Sequence, residues 1–588
     1  MQTQQTMDAH SDFLTVRKQL CDFEVAEEEK KGNVLRKCSA ASTNLRTSGN
    51  KLYRSKDHDK RTHENILSLY SESIAFAPVD SEELALAYSN RSALLLHLHY
   101  PEKSLIDIVK ALGITKSTYL RTKLLSRKAK CLELIKKSAD REDNSSDELK
   151  IPKFTPSKQL PCVADCVKVD YNKQFGRHMV ATRDIEPGEV IIAETGHVVF
   201  PSGEQMYLNC SNCLRLAWTG IPCDFCAFAI FCSETCKKEA WNAYHDIECC
   251  IIPYIFLKQK DKSLLSHMMI TARIFITAVK REGLEHIMHT AEAIDNQDIH
   301  AQNVRTTEEF NCTKFKYLYN LSSHDQDIIR HYGHAQYIEE DYLLSVLYKC
   351  TSIFSTFQKI NSDNKELYVK MFSDIKKIII KLRNVVSINN FGYQIVGDKD
   401  SDFDYDVLST NSMKGLLLAP CSSFISHSCY PNVSKIFMPK RKMVMMTVLP
   451  VKKGEQLYCC YGPSITENVQ ERQAYLLKNY YFTCECEACN NNWTLESFNT
   501  LPQISEVDNF YKFVQDFNKL KFTRICEDLI ENWSIDMETI KEVAEVCKVL
   551  SKNLKKHSAL LYSFYYSIFL TNAFILLYQE KRHIPYQC

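Results

Sequence analysis

The stretch CSNCLRLAWTGIPCDFCAFAIFCSETCKKEAWNAYHDIEC, residues 210–249, sets seven cysteines and a histidine at regular intervals. The spacing is C-x2-C at Cys210 and Cys213, C-x2-C at Cys223 and Cys226, and C-x3-C at Cys232 and Cys236, followed by His245 and Cys249. Eight such ligands make two tetrahedral zinc sites. So short a stretch cannot hold itself together by apolar burial alone, so metal binding supplies its folding free energy. Each ion then has four protein ligands and no open position for water, which makes the zinc structural and excludes zinc catalysis.

Outward from this cluster, 588 residues with 45% apolar and 25% charged content suffice for three or four units. A net charge of +1 exerts no global pull toward nucleic acid or membrane. Met1 to Ala26 has no basic start followed by an apolar run, so nothing resembles a secretory signal. The 25 cysteines are therefore expected in a reducing compartment, where clustering means metal. Ser558 to Tyr578 carries no charge, but its Tyr, Ser, Thr and Asn content reads as a buried helix rather than a membrane span.

Before the cluster, about Ala41 to Lys137 reads as helical hairpins that resemble TPR repeats. Leu45, Gly49 and Tyr53 fit a first helix, whose glycine lets a neighbour approach closely. Leu67, Tyr70, Ile74 and Pro78 fit the second helix and its stop. Tyr88, Ala93, Leu95, Leu105, Ile108 and Leu112 form the next pair, and Leu124, Ala129 and Leu132 suggest a third. Asp140 to Glu148 is a solvated linker. Short β-rich runs then begin near Cys162, give way to the cysteine cluster and a long helical stretch, and return at Val385 to Ile395 and Lys435 to Tyr461.

Three motifs in the β-rich parts resemble the SET methyltransferase signature, and the cysteine cluster resembles the MYND finger, including Phe231-Cys232-Ser233 and Trp241. Together they identify the chain as similar to the SET and MYND domain-containing (SMYD) family, in its TPR-bearing branch. The first motif is Gly176-Arg177-His178, which the resemblance places beside S-adenosylmethionine; His178 stands where many SET domains have a second glycine. The second, Ser426-His427-Ser428-Cys429-Tyr430-Pro431-Asn432, looks like N-H-S-C-x-P-N with Ser426 in place of asparagine. Asn389-Asn390-Phe391 and Ser423 match further cofactor positions. The third, Gly454 to Tyr461, ends in the tyrosine that aligns with the catalytic one, and Tyr480 and Phe482 align with the walls of the lysine channel.

The resemblance also implies ligand sets and partners. One zinc takes Cys210, Cys213, Cys232 and Cys236, and the other takes Cys223, Cys226, His245 and Cys249. A third joins Cys429 to Cys484, Cys486 and Cys489. Arg46, Asn50, Asn90, Lys123 and Arg127 occupy the positions of a carboxylate clamp, which in clamp-type TPR proteins grips heat-shock chaperone C-termini ending in EEVD. Transcriptional regulators are the partners implied for the MYND finger.

These readings give a mixed α+β multidomain chain. The expected order is an extension (1–40), TPR-like helices (41–140), a linker (141–160), the first SET part (161–209), the MYND finger (210–249), a helical SET insertion (250–384), the SET core (385–465), a post-SET zinc segment (466–490) and a helical tail (491–588). The expected reaction is methyl transfer from S-adenosylmethionine to lysine of a histone or non-histone protein, with Tyr461 catalytic. The cofactor contacts are Gly176, Arg177, His178, Asn389, Ser423, Ser426, His427, Tyr461, Tyr480 and Phe482. The competing reading is a non-catalytic adaptor that keeps the SET fold as a scaffold. A monomer in cytoplasm and nucleus, without direct nucleic-acid or membrane binding, completes the expectation.

Overall fold

The computed structural model describes residues 37–55, 60–139, 153–203, 205–259, 261–296, 314–332, 338–355, 365–393 and 413–494, with single helical positions at 541, 544 and 548. The N-terminal extension up to residue 36, most of the linker, the Ser558 to Tyr578 segment and nearly all of the C-terminal tail lie outside the described residues. Among the described residues no helix is long and apolar enough to cross a membrane.

Five helices open the chain: α1 (Ser39–Tyr53), α2 (Lys60–Phe76), α3 (Glu82–His97), α4 (Pro101–Ile114) and α5 (Thr118–Ala139). Their boundaries follow from local chemistry. Ser81 caps α3 by accepting from the Leu84 N–H, with Glu82 and Glu83 in the first turn, and Pro101 opens α4. In α2, Ile66, Tyr70 and Ile74 recur every fourth residue and are fully or almost fully buried. A Cβ on Gly49 would lie 2.6 Å from the Tyr70 ring, so only glycine lets α1 and α2 pack this closely. On α5 the apolar positions divide: Leu124 is buried, whereas Ala129 and Leu132 face solvent. That face does not contribute the third repeat core expected of it.

The β-rich part is built from small sheets. β1 (Val167–Asn172) and β2 (Gly176–Ala181) form a hairpin that pairs Val167 with Ala181 and Asn172 with Gly176. β3 (Val190–Thr195) joins the later pair of strands Val433–Met438 and Lys442–Thr447 in a three-stranded antiparallel sheet. β4 (Val198–Pro201) pairs with Gly415–Leu418, which in turn pairs with Asn390–Tyr393. Two residues, Ser426 and His427, pair in parallel with Tyr458 and Cys459. The finger adds a short hairpin of Ile221–Pro222 with Ile230–Phe231 and a helix, Glu234–Ala240.

Helices from Asp246 onward fill the interruption in the β domain, and the last of them, Lys365–Asn389, corrects the strand expected from Val385. Val385 and Val386 are β-branched, which suits a strand in isolation. They instead continue a helical stripe of Ile375, Ile378, Ile379 and Leu382, all at most 3% exposed. Among the described residues the strand spans Asn390–Tyr393, so it begins five residues later than the sequence suggested.

A buried ion pair fastens the N-terminal helices to the finger. Arg91 donates Nε to Asp107 Oδ2 at 2.7 Å and Nη2 to Oδ1 at 2.9 Å, with both side chains out of water. The same guanidinium donates to Ser71 Oγ and to the Gly220 carbonyl of the finger. Arg91→Met is expected to lower the thermal midpoint by several degrees, because an uncompensated buried Asp107 costs about 3–5 kcal/mol. Calorimetry reads this, and adding Asp107→Leu is expected to restore most of the loss. An unchanged midpoint in Arg91→Met would show that this pair does not support the fold.

Candidate functional site

The eight finger ligands gather as two sets of four. In Cys210, Cys213, Cys232 and Cys236, and again in Cys223, Cys226, His245 and Cys249, all ligand atoms lie within 4.8 Å of one another. Sulfur separations of 3.6 Å for Cys213–Cys232 and 3.8 Å for Cys223–Cys249 are too long for disulfides. They match the edge of roughly 3.8 Å of a tetrahedron with metal–sulfur bonds near 2.3 Å. A third set, Cys429, Cys484, Cys486 and Cys489, has the same dimensions, with Cys429 and Cys489 sulfurs 3.6 Å apart.

His245 is oriented for ligation by residues that spacing did not single out. Its Nδ1 meets Glu248 Oε2 at 3.0 Å, leaving Nε2 toward the Cys226 sulfur. Glu248 is wholly buried and also accepts from Arg273 Nε and Nη2, each at 2.9 Å. Burial pushes the Glu248 carboxyl up, but the Arg273 and His245 contacts outweigh it and hold the group below its usual range. Arg273 Nη1 donates in turn to the Ser211 carbonyl at 2.9 Å and to the Val199 carbonyl. One helical arginine thus ties the finger to β4.

A cavity of about 1530 Å³ opens beside the third sulfur set, and most of the expected site residues line it. Gly176, at a left-handed φ of 62°, ends the β1–β2 loop at its rim. Arg177 lies over the Phe424 ring at 5.2 Å and donates to the Asn320 carbonyl. Asn389 donates to the Ser322 and Val385 carbonyls, at 2.7 and 2.8 Å, and Ser423 donates to the Ala419 carbonyl. The turn carrying Ser423 is held from beneath by buried Glu194, which accepts from the Cys421 and Ser422 N–H groups and from the Ser422 hydroxyl.

His178 departs from its expected place and is not among the lining residues. Strand alternation sends it to the opposite side from Arg177, where it is 5% exposed. Its Nδ1 donates to the Gly176 carbonyl at 2.9 Å, and its Nε2 meets the Asn172 amide at 3.4 Å.

The parallel pairing of Ser426–His427 with Tyr458–Cys459 brings the second and third motifs together. His427 Nδ1 accepts the Tyr461 N–H at 3.0 Å, and the Tyr461 hydroxyl donates to the Ile425 carbonyl at 2.8 Å. The Tyr461 and Tyr480 rings are 4.9 Å apart, and Phe482 lies 6.0 Å from His427. Burial pushes the His427 imidazole down to about 4 and the Tyr461 phenol well above 10, so both are uncharged at neutral pH.

The SET domain family model matches residues 176–462. Protein-lysine N-methyltransferase SMYD4 of Danio rerio is 23% identical over 514 residues, a match covering 78% of this chain and 66% of that protein. The chain is thus similar to SET and MYND domain-containing proteins and carries a match to the SET domain. Its SET fold mixes helix and sheet, and the finger and the helices after it interrupt the SET strands. A SET and MYND domain-containing protein of Dictyostelium discoideum is 26% identical, covering 54% of this chain and 80% of that one. Histone-lysine N-methyltransferase ASHR1 of Arabidopsis thaliana is 21% identical over 55% of each chain. The match spans about two thirds of the length of the SMYD4 relatives.

The five clamp positions of the N-terminal helices are partly engaged with one another and with the backbone. Asn50 Oδ1 accepts from Asn90 Nδ2 at 2.6 Å and from the Tyr70 hydroxyl at 2.9 Å. Arg127 donates to the Ser89 carbonyl and to Ser92 Oγ, Lys123 is exposed, and Arg46 Nε is buried with no hydrogen bond among the described residues.

Glu248→Gln is expected to weaken zinc retention by the His245 set about 10–100-fold, as loss of an orienting partner does elsewhere. Competition with a chromophoric chelator measures it. Retention equal to the parent protein would show that Glu248 only neutralises Arg273.

Proposed function

We propose that this SET and MYND protein is a protein-lysine N-methyltransferase that uses S-adenosylmethionine and carries three structural zinc ions. The observation that carries the reading is the convergence of Tyr461, His427, Tyr480, Phe482 and the Ser423–Ser426 turn on one cavity bordered by the Cys429 set. The relatives named as protein-lysine and histone-lysine methyltransferases support the same reaction.

The cofactor, when bound, supplies a methyl group on a sulfonium. A lysine amine, with an ordinary pKa near 10.4, must lose its proton before it can attack. Tyr461, Tyr480 and Phe482 line the cavity together, and an amine inserted among these rings would lose water, which disfavours the ammonium form and releases its proton to solvent. Tyr461 does not take the proton, since burial keeps its own phenol protonated. Its hydroxyl, anchored on the Ile425 carbonyl, orients the amine for in-line transfer. The Tyr480 hydroxyl donates to the Tyr461 carbonyl at 3.2 Å and couples the channel wall to the catalytic residue.

The metal sets act on this chemistry through position. Zinc held by Cys429 and the three later cysteines anchors the segment that carries Tyr480 and Phe482 to the strand that carries His427. The finger sets hold residues 210–249 together.

Calorimetry on the zinc-loaded full chain is expected to show micromolar S-adenosylmethionine binding. Tyr461→Phe is expected to retain binding and to lose at least about a hundredfold in labelling of lysine in a protein extract, the scale of a lost orienting contact. A folded, zinc-replete protein that binds no cofactor would be a scaffold and not an enzyme. Strong chelation is expected to release three zinc ions per chain, lower the thermal midpoint and abolish cofactor binding; a release of fewer than three would remove one of the assigned sites.

A further inference from the structure

Ser426 stands in the cavity wall as the first residue of its two-residue strand, where the SET motif it resembles has asparagine. A serine hydroxyl reaches less far than a carboxamide, and here a carboxamide arrives from the segment just before the neighbouring strand. Gln456 Nε2 donates to Ser426 Oγ at 2.9 Å. The Gln456 Oε1 accepts from the Tyr458 hydroxyl at 3.1 Å. The segment that carries both is held by Asn432, whose Nδ2 donates to the Gln456 carbonyl and whose Oδ1 accepts the Tyr458 N–H.

The chemistry of these groups gives the chain a direction. An amide nitrogen only donates, so Ser426 Oγ is an acceptor on its protein side. Its own O–H has no acceptor among the described residues, although the residue lines the cavity. The bonds run from Tyr458 to Gln456 to Ser426 and leave one hydroxyl hydrogen for a ligand. Bonds in series strengthen one another by about 10–30% each.

We propose that Gln456 is a positioning residue of the cofactor pocket, presenting the Ser426 hydroxyl hydrogen to an acceptor atom of an adenosyl cofactor. The proposal rests on the reading of the cavity as an S-adenosylmethionine site. It accounts for serine at the asparagine position without loss of the pocket, because the two side chains together provide the reach and the donor.

The test is a double-mutant cycle on the zinc-loaded full chain, with S-adenosylmethionine and S-adenosylhomocysteine titrated by calorimetry. Ser426→Ala and Gln456→Ala are each expected to weaken binding about fivefold, the scale of one neutral hydrogen bond. The double variant is expected to be no weaker than Ser426→Ala alone, because Gln456 acts through Ser426. Gln456→Glu keeps the shape and the fold, but a carboxylate only accepts and turns the serine hydroxyl back toward the protein. It is expected to weaken S-adenosylhomocysteine, whose sulfur is uncharged, as much as Gln456→Ala does. Parent-level affinity in both Gln456 variants, or additive losses in the double variant, would overturn the proposal alone. A parent protein that binds neither ligand would overturn the cavity reading and this proposal with it.

Discussion

The carboxylate of Glu248, wholly removed from water, is the interaction on which the middle of the molecule depends. An isolated charge in such a place would be untenable, and it exists because Arg273 and His245 both donate to it. The consequences spread outward in order. The histidine is fixed in the tautomer that turns Nε2 to the sulfurs, and the arginine is fixed where its remaining nitrogen holds the backbone at Ser211 and Val199. A finger that interrupts the SET strands in sequence is in this way bonded into the layer it interrupts.

The cavity shows the same division between chemistry and support. Its walls mix aromatic rings and hydroxyls with charged side chains such as Arg177, Lys435 and Glu455, and two further charges support it from behind. Glu194 holds the Ser422 turn from below without lining the space. Arg472, which is wholly buried, donates to the Glu467, Ala488 and Trp493 carbonyls and so fixes the segment around the last two cysteines of the third set. Neither Glu194 nor Arg472 is among the residues that line the cavity.

Much of this was legible in the sequence wherever function imposes tight spacing. Metal ligands two or three residues apart declare themselves, because a tetrahedral site needs ligands at short, fixed intervals. The helices before the linker were legible from their four-residue periodicity and from the glycine that faces Tyr70. The failures have equally specific causes. Val385 and Val386 carry strand propensity, and only the longer stripe back to Ile375 reveals the helix. His178 is set aside by strand alternation, which a motif comparison does not weigh. Glu248 with Arg273, and Ser426 with Gln456, are pairs 25 and 30 residues apart, and no local pattern joins such residues before the chain has folded.

The seam between the first helices and the finger bears on how the chain can be divided. Arg91 reaches Gly220, Lys110 donates to the Thr219 carbonyl, Tyr100 packs against Trp218, and Phe76 meets Phe228. The N-terminal helices are therefore a wall of the cysteine-rich finger and not a detachable arm. Cutting them away to ask what they recruit would bare Trp218 and Phe228 to water and leave the Gly220 carbonyl without its donor. A deletion phenotype would then report a damaged finger as readily as a missing partner, so point substitutions on the outward helix faces are the cleaner way to separate the two.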